Sequence, residues 1–389
     1  MQNRKTALFS VLSITFLILC FAMKAGEERE YTQTIEQFQE TKKYRVSMLA
    51  VGDNLLHMPV VNSCKQEDGS YDMKPLYANL QPMIENADIA VIGQETVLGG
   101  EEFGYSGYPA FNSPQDAGRA LADVGFNVIL LASNHAMDMG KKGLLNMLSF
   151  WKQYPQITTA GAHETPEDQD AIRIVDHGIR IAILNYTYGL NGVTLSPDRA
   201  HLVDITSRDR LRRDVERASE EADFVSVFIH WGEEYMQEIQ PEQRDLAQYM
   251  SDLGVDLIVG SHSHVLSTAE WLTGLEGNRT LVFYSLGNYI SSQRKAESLL
   301  GGMVQLEITG IRGPGGSMET TISSPTLTPI VTYYNKDLKN FAVYPLKAYT
   351  EELSRTHGAA RFDEKAEPDR FRAIVDKLYP QGSGVHVDY

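Results

Sequence analysis

Histidine and acid or amide side chains recur in this chain just behind short apolar runs, which is where chemistry would need them. GSHSHV, residues 260–265, sets His262 and His264 two apart after the run VDLIV. VSMLAV leads into Asp53 and His57, ADIAVI into Glu95, FNVILLA into Asn134, His135 and Asp138, and DFVSVFI into His230. Each run thus delivers Asp, Glu, Asn or His at a strand-like carboxyl end, the edge where α/β sheets gather their ligand sites. Neutral imidazoles suit Zn, Mn or Fe, and a carboxylate is suited to bridging two cations a few Å apart. The candidates for that duty are Asp53, His57, Glu95, Asn134, His230, His262 and His264, with His135 beside them. The chain has neither a Gly-rich phosphate loop nor a G-x-S-x-G elbow, so phosphate-loop and nucleophilic-serine chemistries are set aside.

Each of these residues also has a plainer role open to it. Asp53 can cap a turn after Gly52, and Asn134 can cap a helix beginning near Asp138. His57 can be a ligand or can support one. Trp231 next to His230 suggests a packed pocket wall, and Glu233 and Glu234 divide between a bond to the site and a solvated face. Asn288 in the segment SLGN either reaches the site or forms the turn after a buried strand. A single metal, or a hydrogen-bonded network without one, is a further alternative that leaves the repeated placement unexplained. His163, His177 and His201 fall outside the motifs and read as surface residues.

The elements that must position these groups are legible as alternating runs. VSMLAV, ADIAVI, FNVILLA, RIAILNY, DFVSVFI, VDLIVG and TLVFYSL read as strands, several of them apolar on both faces and so buried between layers. SPQDAGRALADVG and PEQRDLAQYMSDLG between them read as helices, with Ser113 before Pro114 as a start signal and Gly125 as a stop. The fold class is therefore α/β or α+β, without an internal repeat. A domain is expected over 45–313. Residues 314–389, with strands around TPIVTYY and NFAVYPL and an amphipathic helix in AARFDEKAEPDRFRAIVDKLYP, complete or extend it.

Composition narrows the partners. Against 35 Lys and Arg stand 51 Asp and Glu, a formal charge of −16, which argues against a nucleic-acid-binding surface. Arg4 and Lys5 precede an uncharged apolar run at 7–23, near the short limit of a membrane span. Residues 1–26 read as a signal anchor that leaves the rest of the chain on the extracellular side of the cell membrane, with cleavage near Gly26 as the alternative. Residues 27–44 read as a polar spacer. Cys20 lies in the apolar run, so Cys64 is the only thiol of the folded part and no internal disulfide is expected.

VGDNLLH, GQETVL, ASNHAMDMG, the stretch from HWGEEYM to GSHSHV, and YSLGNYI occur in that order over residues 45–300, and here the chain resembles the CapA family of poly-γ-glutamate capsule proteins. The domain of that family is related to calcineurin-like metallophosphoesterases. The resemblance implies a four-layer sandwich, two mixed sheets flanked by helices, with a two-metal centre at one edge. It implies that Asp53, His57 and His264 hold one divalent ion, that Asn134, His230 and His262 hold the other, and that Glu95 bridges them. His135 would be the general acid and Asp138 its orienting partner. The chain departs from the family pattern in reading Gly93-Gln94-Glu95 where members often have Asn-x-Glu. It also differs from ordinary phosphoesterases in spacing Asp53 and His57 four apart rather than two. Two functions follow as expectations. One is a role in poly-γ-glutamate capsule synthesis or export beside membrane synthase or export components; the alternative is an extracellular metal-dependent phosphoesterase acting on an envelope substrate.

Overall fold

The computed structural model describes residues 42–313 and 316–389. The expected signal anchor at 1–26 and nearly all of the expected spacer lie outside the described residues. Among the described residues no helix is long and apolar enough to cross a membrane. In chain order the strands are β1 Lys42–Asn54, β2 Ile89–Gly93, β3 Val128–Leu130, β4 Thr158–Ala160, β5 Arg173–Asp176, β6 Arg180–Thr187, β7 Phe224–His230 and β8 Leu257–Ser261. They continue as β9 Ala269–Thr273, β10 Arg279–Phe283, β11 Asn288–Ile290, β12 Leu300–Arg312, β13 Met318–Tyr333, β14 Ala342–Pro345 and β15 His386–Val387. The longer helices are α1 Asp116–Asp123, α2 Gly140–Trp151, α3 Arg208–Glu221, α4 Pro241–Asp252 and α5 Pro368–Leu378.

Contacts divide the chain into two units. One takes residues 45–309 and 320–389 and carries everything discussed below; the other takes 1–44 and 310–319. Of the latter, the described residues are strand ends and a loop in which Gly313 N donates to Ser317 O at 2.9 Å.

Two mixed sheets form the fold. The larger runs β14-β13-β12-β1-β2-β3-β4, with β11 also paired to β1 and β15 to β13; the smaller runs β5-β6-β7-β8-β10-β9. β1 through β4 pair in parallel, as do β6, β7, β8 and β10, so within each sheet those carboxyl ends share one edge. The helices α1 to α4 sit in the crossovers β2 to β3, β3 to β4, β6 to β7 and β7 to β8. Right-handed crossovers place the helices of one sheet on one face of it.

Strand periodicity then decides what each face does. Leu184, Tyr186, Val227, Ile229 and Ile258 point to the face of the smaller sheet that packs on Leu211, Val215 and Ala218 of α3 and on Ala247 and Met250 of α4. The alternate residues Asn185, Phe228, His230 and Val259 face Val51, Asp53, Leu130 and Ala132 of the larger sheet across a narrow cavity. The layering is thus helices, sheet, sheet, helices. Helix starts follow local chemistry: the Ser207 side chain accepts from Arg210 N to open α3, and Pro241 opens α4 behind a reciprocal Gln240 and Gln243 cap. Ser113 does not open α1, which begins at Asp116; its hydroxyl donates instead to Thr96 Oγ1 at 2.8 Å.

Candidate metal centre

The ends of β1 and β2 deliver the first carboxylates. Gly52 packs so tightly on the segment before β11 that a Cβ there would lie 1.8 Å from Gly287 O. Asp53 follows, with its amide donating to Gly287 O at 3.1 Å and its Oδ2 accepting from His262 N at 3.0 Å. Its carboxylate therefore ties β1 to the GSHSHV loop and does not cap a turn of its own. Past the end of β2, Gln94 Oε1 accepts from Asn54 Nδ2 at 2.8 Å, while Tyr77 OH donates to Asn54 Oδ1 at 3.0 Å. This buried chain of amides fixes the segment that aims Glu95 inward. Both Glu95 carboxylate oxygens are buried and have no hydrogen-bond partner. Glu95 Oε1 stands 3.7 Å from His230 Nε2 and 3.9 Å from His264 Nε2.

The imidazoles come from the second sheet. His230 ends β7, with Nδ1 2.9 Å from Ser261 Oγ and Nε2 2.9 Å from Asn134 Oδ1 and 3.2 Å from His262 Nδ1. Asn134 Nδ2 donates to Asn191 Oδ1 at 3.0 Å, which turns Oδ1 toward His230. Asn288 Nδ2 is engaged by Ser291 and Gln293, so its Oδ1 faces His264 Nδ1 at 3.0 Å and leaves the His264 Nε2 lone pair directed at Glu95. A His230 that donates from Nδ1 to Ser261 likewise turns a lone pair toward Asn134 Oδ1. With those tautomers, lone pairs converge on an unpartnered buried carboxylate, an arrangement that a cation between them would stabilise. Asp53, Glu95 and His264 offer ligand atoms that lie within 4.8 Å of one another, a group able to hold a metal ion.

Electrostatics agrees with that reading. Burial pushes the Asp53 carboxyl up to about 7, and burial together with the neighbouring Asp53 charge raises Glu95 well above the carboxylate range. Burial lowers His262 to about 4 and His264 to about 3, and it holds His230 well below the usual imidazole value. These rings are neutral near pH 7, the state in which imidazole binds a metal. His262 and His264 hold φ of 91° and 59°, a backbone region that non-glycine residues adopt at a cost of order 1–3 kcal/mol and that clusters at functional sites.

His135 and Asp138 form a separate pair at the rim. His135 Nδ1 lies 2.7 Å from Asp138 Oδ2, which also accepts from Phe111 N at 2.7 Å, and the His135 ring meets Phe111 edge-on at 4.7 Å. His57 stands apart from the three-residue group. Its Nδ1 accepts from Ser292 N at 3.4 Å, its ring packs against Phe111, and burial lowers it to about 4. Trp231 points away from the centre and donates to Tyr284 O at 2.9 Å.

Several participants carry no motif in the sequence. Asn191 bonds Asn134 and stands 3.3 Å from His135 Nδ1, and the Tyr188 ring lies tilted against the His262 ring with 4.6 Å between centroids. Ser261 and Asn185 support the strand ends, Asn185 Oδ1 accepting from Ala132 N at 2.8 Å to join the two sheets. A polar residue inside an apolar run, such as Asn185 in RIAILNY, was the available signal. One reading is corrected: His163 is not a surface residue but is 2% exposed, with Nε2 2.8 Å from Asp204 Oδ2.

The chain is similar to several known proteins. A family model described as bacterial capsule synthesis protein PGA_cap matches residues 47–293. The capsule biosynthesis protein CapA of Bacillus anthracis is 24% identical over 366 residues, covering 89% of this chain and 86% of that one. The PGA biosynthesis protein CapA of Bacillus subtilis (strain 168) is 32% identical over 213 residues, 54% of each chain, so the match spans about half of that relative. Among solved structures, a Staphylococcus aureus protein assigned as a 5'-nucleotidase, crystallised with alpha-ketoglutarate, aligns at 11% identity with a TM-score of 0.44, covering 74% of this chain and 54% of that one.

Proposed function

This chain belongs to the PGA_cap family of bacterial capsule synthesis proteins, and from that premise we propose that it acts in poly-γ-glutamate capsule synthesis or export through a centre of two divalent ions. The observation that carries the centre is Glu95, a buried carboxylate with both oxygens unpartnered among converging nitrogen and oxygen acceptors. Asp53, His57 and His264 would hold one ion, Asn134, His230 and His262 the other, and Glu95 would bridge. Mn, Zn or Fe suits this mixture of imidazole and carboxylate. Bound there, such ions supply Lewis acidity and an activated water for hydrolysis.

The remaining work falls to side chains. Asp138 holds the His135 ring by Nδ1, which leaves Nε2 to carry a proton to a departing group. Asn191, whose Oδ1 accepts from Asn134 Nδ2, places its amide beside the His135 ring. That arrangement serves cleavage of an amide or an ester alike. The alternative function, an extracellular phosphoesterase acting on an envelope substrate, uses the same residues and is favoured only if turnover is confined to phosphoesters.

Metal analysis of the full-length protein should find about two ions per chain. His262→Ala and Glu95→Gln should each lose metal. His135→Ala should keep both ions yet lose roughly 10²-fold or more in turnover of poly-γ-glutamate or an aryl phosphoester. Wild-type protein loaded with Mn, Zn or Fe that turns over neither substrate would leave an assembly role without hydrolysis. The segment 7–23 would anchor the protein in the cell membrane with the rest outside, in reach of capsule synthase or export components. N-terminal sequencing of membrane-extracted protein decides this, since a mature chain starting near Gly26 would contradict retention of the anchor.

A further inference from the structure

A cavity of about 320 Å³ opens where β7 runs into α4, at the lower end of the size that small-molecule sites occupy. It shares Tyr188 with the metal centre, because that ring lines the cavity and lies 4.6 Å from the His262 ring. Nothing in the proposed metal chemistry uses it.

Three groups make it more than a hollow. Gln243 is 8% exposed, and its Oε1 accepts from Gln240 N at 3.0 Å, which fixes the amide and turns Nε2 toward Gly232. A Cβ on Gly232 would lie 2.6 Å from that nitrogen, and φ there is 88°, so glycine leaves the donor open to the cavity. Among the described residues Gln243 Nε2 has no hydrogen-bond partner. Glu233 and Glu242 line the same space, and among the described residues neither carboxylate has a basic partner. Trp231 and Tyr188 supply an apolar wall.

These features select a ligand by elimination. A chain of carboxylates would meet Glu233 and Glu242 with like charge. An ammonium ion would satisfy the carboxylates but leave the Gln243 donor unmet. Hydroxyl groups donate to carboxylates and accept from amides at once, and a saturated ring carries an apolar face for the aromatic wall. We infer that this cavity is a subsite for a neutral sugar residue of a molecule whose reacting group lies at the metal centre. The inference rests on the proposed role of that centre as the place of reaction.

Saturation-transfer NMR on the full-length, Zn-loaded protein tests it, with methyl glucoside and methyl N-acetylglucosaminide as probes. Transfer to the ring protons of at least one glycoside is expected. Glu233→Gln should weaken that binding about 10-fold, the scale of a lost hydrogen bond to a charged group, without change in metal content. Leu246→Trp, which fills the cavity from its wall, should abolish it. Absence of transfer to both glycosides overturns the inference. So does transfer that survives both substitutions, or displacement of the bound glycoside by γ-glutamyl oligomers in the metal-free protein. Failure of the capsule reading is seen elsewhere, as a normal capsule in cells lacking the protein, so the two failures are distinguishable.

Discussion

Burying a carboxylate with neither oxygen bonded costs several kcal/mol unless the group is neutralised, and Glu95 meets that cost in the metal-free protein by holding a proton. Asp53, raised to about 7, is in part protonated on the same account. The sign of the consequence follows: metal binds the deprotonated carboxylates, so loading must expel protons, and affinity must climb as pH rises through 7. The histidines contribute nothing to this at pH 6 to 8, because rings lowered to about 4 and 3 are already neutral. Calorimetric titration of Zn or Mn into metal-free protein, in buffers of different ionisation enthalpy, should show release of about one proton or more per chain at pH 6. Binding without proton release at that pH would contradict the site described. At this scale the charged members were legible, because Asp, Glu and His are rare at the ends of apolar runs and stand out there. Asn191, Tyr188 and Ser261 were not, since their roles come from loops folded against the cluster and no local pattern marks such residues.

Elements set those side chains through close backbone approach, and Gly52 is the clearest case. A Cβ at 1.8 Å from Gly287 O cannot be absorbed by a rotamer change, so Gly52→Ala must push β1 away from the segment before β11. The expected result is a loss of about 1–3 kcal/mol in stability and weaker metal binding, since Asp53 and Asn288 are neighbours in register across that contact. Gly189→Ala, where nothing lies within 4 Å of the added carbon, should change stability by no more than about 0.5 kcal/mol. Urea denaturation of the two variants beside wild type, with metal analysis of each, checks both; equal stability would show that the β1 contact yields easily. Strands such as β7 and β8 were readable from apolar runs of the right length. The start of α1 was misread because Ser113 and Pro114 look like a cap in sequence, whereas the Ser113 hydroxyl is taken by Thr96, a partner from a different segment. Pairings among distant segments, like β11 against β1, leave no local periodicity to read.

For the molecule as a whole, the C-terminal residues decide whether the larger sheet has a raw edge. β12 lies between β1 and β13, and β13 in turn carries β14 and β15. Without residues 320–389, β12 would present an unpaired row of backbone groups over apolar residues such as Val304 and Ile308, a template for aggregation. The same segment also braces the loop that follows the two site histidines. Tyr379 OH donates to Ser267 O at 2.8 Å, and Thr268 Oγ1 donates to Leu378 O at 2.6 Å, so the end of α5 is tied to residues just after His264. Thr332 Oγ1 of β13 adds a bond to Tyr289 O at 3.3 Å, next to Asn288, the partner of His264. Removal of the segment therefore acts on solubility and on the centre together. A chain ending at residue 313 should be recovered mainly as aggregate, and any soluble fraction should unfold without a single cooperative transition and bind less metal than the full chain. Size-exclusion chromatography and a thermal scan with metal analysis read these outcomes. A soluble monomer that unfolds cooperatively with its full metal content would show that the sheet closes without β13 and that α5 is not needed to hold the His264 loop.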